Sequence, residues 1–104
     1  MQPLSGVRVL DLSRILAGPH ATQTLSDLGA EVLKLEAPWG DDTRSWGPPF
    51  QSGFDGEEVA SYFLSCNRGK RIETVHIKQE QARLRTLVAE SDIVVENFKP
   101  GTFD

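Results

Sequence analysis

A doubly wound α/β fold built on a parallel sheet is the class the sequence predicts, and three observations predict it. Short β-branched apolar runs alternate with stretches whose apolar residues recur at helical spacing. The first strand, helix and second strand all fall between residues 7 and 36, the span of one βαβ unit, whose strands run parallel. With 104 residues the chain has room for one small domain and one core.

The first strand is read at "VRVLDLS", residues 7–13. Helical spacing over 20–28 follows, with Pro19 in the first turn, where a missing N–H costs nothing. Ala21, Leu25 and Leu28 fall on one side and are expected to face the core, and Gly29 fits the left-handed position that ends helices. In "AEVLKLE", 30–36, Val32, Leu33 and Leu35 are interspersed with Glu31, Lys34 and Glu36 as a second strand. From 37 to 58 prolines, glycines and the aromatics Trp39, Trp46, Phe50 and Phe54 predict a long loop with surface worth burying. A short helix is expected over 58–66 from Val59, Tyr62, Phe63 and Cys66, a third strand, short or at an edge, over 71–78, a helix over 79–90 and a fourth strand over 92–98. In such sheets ligands gather beyond the carboxyl ends of the strands. Those ends are Ser13 to Pro19, Glu36 to Trp39, and Glu96 to Lys99 with Pro100 and Gly101.

Composition narrows the chemistry. Eleven Lys and Arg against fifteen Asp and Glu give a net charge of −4, which argues against general nucleic-acid binding. No apolar run is long enough for a membrane span, and the start shows no secretory or organelle-targeting pattern, so the cytoplasm is the expected compartment. The lone Cys66 has no disulfide partner, and neither it nor His20 and His76 offers metal-ligand spacing. Cys66 is expected to be a core residue rather than a nucleophile.

The turn "RILAGPHAT" raises the question of a phosphate cradle. A dinucleotide fingerprint needs three glycines at fixed spacing and an acid for the ribose. Gly18 is one glycine, Glu36 is placed to be the acid, and no Walker-type Gly-Lys-Ser/Thr occurs. What remains is a helix start at 18–22, suited to an anion by its free N–H groups, or simply capped with nothing bound. The run Arg68, Lys70, Arg71 reads either as a solvated turn or as an anion contact. For Asp41, Asp42 and Arg44, turn chemistry is the favoured reading over a polar group on a mobile loop aimed at a carboxylate or a neighbouring chain.

Four stretches in order, "PLSGVRVLDLSRILAGPHATQTLSDLGAEVLKLE", "GDDTRSWGPPF", "YFLSCNRGKRIE" and "DIVVENFKPG", resemble the class III coenzyme A transferases (CaiB/BaiF-like), the family of formyl-CoA and carnitine-CoA transferases and α-methylacyl-CoA racemases. The resemblance covers essentially the whole chain, and "GDDTRSWGPPF" looks more like the transferases acting on dicarboxylic acids than like the racemases. It implies a Rossmann-like parallel sheet with flanking helices, the N-terminal part of that fold. CoA and acyl-CoA are implied as substrates with a carboxylic acid acceptor, with no permanently bound cofactor, no metal, no nucleic acid and no membrane, in an interlocked homodimer. Carried over by position, CoA contacts fall at Leu16 and Ala17, at Ala37, along Val75, His76, Ile77 and Lys78, and at Asn97, Phe98 and Lys99. Leu16 replaces the glutamine of formyl-CoA transferases, which turns the expectation away from formyl or oxalyl substrates. Ala37 stands where some members carry a phosphate-binding arginine, leaving Arg68, Lys70 or Arg71 to supply that charge. The family's aspartate nucleophile falls beyond Asp104, so residues 1–104 are expected to be a CoA-binding N-terminal segment without the catalytic remainder. Two readings outside this family are a nucleotide-binding oxidoreductase and a non-catalytic interaction domain.

Overall fold

The computed structural model describes residues 2–52 and 58–100; Phe54 and Gly101 lie outside the described residues. In chain order it contains β1 (Arg8–Asp11), α1 (Ala17–Asp27), β2 (Glu31–Glu36), a 3-10 turn (Asp42–Ser45), β3 (Phe50–Ser52), β4 (Glu58–Ala60), α2 (Ser61–Ser65), β5 (Arg71–Thr74), α3 (Gln81–Ala89) and β6 (Ile93–Val95). Four strands make one sheet in the order β5-β2-β1-β6, and every pairing in it is parallel. The expected doubly wound α/β architecture is present, with β5 on an edge.

Alternation along the strands sends successive side chains to opposite faces. Leu10, Leu12 and Leu35 join Val75 and Leu84 in one core, against which Leu87 and Val88 of α3 pack. Val9, Ala30 and Val32 form a second core on the other face, with Leu25 of α1 against it. Both faces are thus covered by helices. The α1 face has an unusual gradient: Val9 and Val32 at its lower half give way to Asp11, Lys34 and Glu36 toward the carboxyl edge, all buried.

That gradient explains why α1 does not present the predicted face. Ala21 and Leu28 are exposed, and the buried positions are Gly18, Pro19, Thr22 and Gln23. A carboxylate beneath the helix needs donors, and Thr22 Oγ1 donates to Asp11 at 2.6 Å. Close approach at the first turn is made possible by Gly18, where an added Cβ would overlap the Ser13 side chain. Gly29 does take the left-handed conformation expected after the helix, with φ +103°.

The stretch predicted as one loop, 37–58, holds the 3-10 turn and β3, which pairs antiparallel with β4. Only β4, not helix, occupies 58–60, so the predicted 58–66 helix shortens to α2. Its aromatics are mainly outside the core: Trp39, Trp46 and Phe50 are exposed, while Phe63 and Cys66 are buried. The peptide bonds Gly47–Pro48 and Pro48–Pro49 are cis. The third strand is both short and at an edge, its register ending at Thr74, and the fourth is shorter than the predicted 92–98, ending at Val95. Among the described residues no helix is long and apolar enough to cross a membrane.

Candidate functional site

Beyond the carboxyl ends of β1 and β2 lie two buried charge clusters that fix the turn between β1 and α1. In the first, Asp11 accepts from the Ser13 amide at 2.9 Å, the Ser13 and Thr22 hydroxyls, and Lys70 Nζ at 3.2 Å. Lys70 also donates to the Pro19 carbonyl and to Asn67 Oδ1. Burial pushes the Lys70 ammonium below its ordinary value, and the neighbouring Asp11 carboxylate offsets part of that. Lys70 is therefore a buried strut tying the segment before β5 to the first turn of α1, and it is unavailable as the phosphate contact considered for it. Arg68 pairs with Asp27 and Arg71 with Glu73.

In the second cluster Lys34 Nζ donates to the Ser13 carbonyl at 3.0 Å and to Asp41 Oδ2 at 3.1 Å. Asp41 also accepts from the Thr43 amide and hydroxyl and, at 3.2 Å, from the Ile15 amide. The expected turn chemistry is present, because Asp41 caps the 3-10 turn, yet the same carboxylate is wholly buried. Glu36 accepts from the Asp41 amide and, through both oxygens, from Arg44 at 2.7 and 2.5 Å. The Arg44 guanidinium carbon sits 4.1 Å from the centre of the Phe63 ring, a cation–π contact. Because both oxygens of Glu36 are engaged inside the protein, the ribose-binding role considered for it is overturned.

Burial pushes the Asp41 carboxyl up, but the Thr43 donors and the Lys34 charge outweigh it and hold the group below its ordinary value. A carboxylate lowered in the native state contributes its full stability above the unfolded value of about 3.9 and loses it as pH falls through the native value. Asp41→Asn is accordingly expected to flatten the decline of unfolding temperature below about pH 4. An acid limb as steep as that of the unmodified protein would contradict this origin of the shift.

Between these clusters, residues 13–16 are held at consecutive backbone positions. Asn97 clasps Arg14 from the end of β6, its Oδ1 accepting from the Arg14 amide at 3.3 Å and its Nδ2 donating to the Arg14 carbonyl at 2.9 Å. The Leu16 carbonyl accepts from the His20 amide at 2.7 Å. Ile15 has φ +75°, a left-handed conformation that a β-branched residue rarely adopts.

The structure brings several of the sequence-predicted contact residues to this edge. Leu16 is 49% exposed, and Ala17 is exposed at the first position of α1. Asn97, Phe98 and Lys99 follow β6, and Asn97 touches the turn directly. Ala37 follows β2 and is half-buried. His76 lies edge-on to Trp39, ring centres 6.0 Å apart, which joins the segment after β5 to that after β2. Lys78 is exposed, Ile77 packs against the core and Val75 is only 1% exposed, so the Val75 side chain has no access to a ligand. Gly18, the one glycine of the incomplete dinucleotide fingerprint, leaves room for Ser13.

Sequence reasoning missed Asp11, Lys34 and Asp41 as organisers of this turn. The signal was present: polar residues alternating in a strand of a parallel sheet lie under a helix, since such sheets are covered on both faces. A cavity of about 240 Å³ lies away from this edge, at the amino ends of the strands, with Arg8, Glu31, Gly69, Arg71, Glu90 and Ser91 in its wall. Among the described residues no group of His, Cys, Asp and Glu side chains is arranged to hold a metal ion.

The model of CoA-transferase family III matches residues 4–104. The chain is 53% identical over 104 residues to a succinyl-CoA:glutarate CoA-transferase of Mus musculus, covering 97% of this chain and 23% of the relative. It is 52% identical over 101 residues to a succinate–glutarate CoA-transferase of Agrobacterium fabrum, covering 93% of this chain and 25% of the relative. The crystal structure of a CaiB/BaiF family protein from Brucella suis superposes with a TM-score of 0.93 at 56% identity, over 99% of this chain and 28% of that one. The chain spans about a quarter of the length of these curated relatives.

Proposed function

Because the chain belongs to CoA-transferase family III, we propose that it supplies the coenzyme A-binding edge of an enzyme that moves CoA between carboxylic acids, with dicarboxylates of the succinate and glutarate class as donor and acceptor. The observation that carries this reading is the turn at 13–17, whose backbone is held from β2, the 3-10 segment and β6 while Leu16 and Ala17 stay open to solvent. A rigid turn with a helix start behind it suits the long, amide-rich and anionic CoA arm, since first-turn N–H groups lack intrahelical partners. Lys78 and Lys99 add positive charge on the flanking segments. The names of the Mus musculus and Agrobacterium fabrum relatives support the dicarboxylate class.

In the mechanism the family implies, an aspartate carboxylate attacks the thioester carbonyl, expelling CoA thiolate and leaving a mixed anhydride. The thiolate then attacks the anhydride at the enzyme's own carbonyl, freeing the donor acid and forming an enzyme-bound CoA thioester that the acceptor carboxylate resolves by the reverse steps. This segment contributes binding and orientation, holding CoA while the nucleophile comes from the rest of the protein. That keeps a thiolate leaving group beside the anhydride it must attack next, a proximity effect. The whole protein is a cytoplasmic dimer of interlocked subunits in this reading. Exposed Leu28, Leu64 and Ile93 are apolar surface for the remaining chain or a second copy to cover.

Incubating the full-length protein with succinyl-CoA and glutarate, and separating thioesters by chromatography, tests the proposal. Formation of glutaryl-CoA is expected. Epimerisation of a 2-methylacyl-CoA without CoA exchange, or NAD(P) binding without a response to acyl-CoA, would overturn it.

A further inference from the structure

We infer that the Lys34–Asp41 pair is a positioning device that holds Ile15 in its left-handed conformation and so presents Leu16 and Ala17 to the substrate. The inference rests on the CoA-binding reading of the same turn and assigns roles to residues that touch no ligand. A β-branched residue at φ +75° persists only where its surroundings over-determine it. Here Asp41 takes the Ile15 amide, and Lys34 takes the Ser13 carbonyl two residues earlier while also gripping Asp41. Asp41 is in turn anchored by the Thr43 amide and hydroxyl, so it cannot swing away without undoing the 3-10 turn. The side chains of both partners are almost wholly buried, which keeps water from replacing either contact. Asn97 holds the Arg14 carbonyl and Asp41 the Ile15 amide of the same peptide plane, so the two fix its orientation together, and Asp41, wholly buried, is the partner that water does not replace.

Glycine adopts this φ without strain, which gives a test that a merely structural role would fail. In the full-length enzyme, Asp41→Ala is expected to raise KM for the CoA ester about tenfold with kcat within about twofold, as Ile15 relaxes to a right-handed or extended backbone. In an Ile15→Gly background the same substitution is expected to raise KM only about twofold, because the turn no longer needs to be forced. If Asp41→Ala fails to fold, as judged by circular dichroism, Asp41→Asn replaces it in both backgrounds, with an expected KM rise of about threefold that also shrinks with glycine at 15. Hydrogen exchange of a peptide spanning residues 12–18, measured without substrate, is expected to quicken on removal of the carboxylate. That readout stands apart from the function: faster exchange with unchanged KM would overturn the link to binding. Equal KM penalties in both backgrounds, or unchanged exchange, would overturn the positioning role itself even if CoA is bound at this turn.

Discussion

Replacing Lys70 by alanine is expected to lower the folding stability of the full-length protein by about 3–5 kcal/mol. Lys70 and Asp11 are both fully buried at the side chain, and Asp11 lies beneath α1, where it meets Thr22. With the ammonium gone, Asp11 keeps its Ser13 and Thr22 donors but loses its counter-charge in a place water does not reach. The Pro19 carbonyl and Asn67 Oδ1 also lose a donor, so the segment before β5 detaches from the first turn of α1. Arg68→Ala, two residues earlier, is the control, because the Arg68–Asp27 pair is largely exposed and such pairs contribute about 0–1 kcal/mol. Pairing Lys70→Met with Asp11→Asn removes both charges and is expected to recover more than half of the loss, since the side-chain amide oxygen still accepts from Ser13 while its NH2 donates to the Thr22 hydroxyl, whose own proton turns to the Gly18 or Pro19 carbonyl. Urea denaturation of the three variants measures this. A Lys70→Ala loss no larger than that of Arg68→Ala would show that the buried pair does not hold the helix.

Ala17→Trp is expected to lower kcat/KM for the CoA ester about a hundredfold, through KM, while moving the unfolding temperature by no more than a few degrees. Ala17 is exposed and opens α1, so an indole there meets solvent rather than the core. The neighbouring Gly18 is different, because any side chain there collides with Ser13 and the fold itself suffers. The contrast separates a solvent-facing position from a packing position in adjacent residues. Steady-state kinetics with succinyl-CoA as the varied substrate decide it, and an unchanged KM would remove Ala17 from the binding surface.

The parts of the fold that periodicity reveals are those where burial and apolarity coincide. Val9, Leu10, Val32 and Leu35 sit where their alternation puts them, and the parallel βαβ unit follows from its length. Legibility ends where burial and charge coincide. Lys34 and Glu36 look like the solvent side of a strand, yet β2 lies inside the sheet and α1 covers that face. Each is stable there only because Asp41 and Arg44, brought back by the 3-10 turn, neutralise it. Lys70 and Arg71 look alike in the sequence, but one is a buried strut and the other is on the surface. The hairpin of β3 and β4 is masked by the prolines and glycines around it, because strand pairing is a property of the partner as much as of the segment. The contact positions carried over by resemblance follow the carboxyl ends of the strands, but only the structure separates Leu16 and Ala17, which face outward, from Val75, which is interior.

The measurement that bears most directly on the role of the turn is a crystal structure of the full-length protein soaked with CoA. The pantetheine and pyrophosphate are expected to lie along residues 16–18 and 97–99, with polar atoms within about 3 Å of the backbone N–H groups there. CoA bound at another edge of the sheet, with Leu16 and Ala17 still open to solvent, would contradict the assignment.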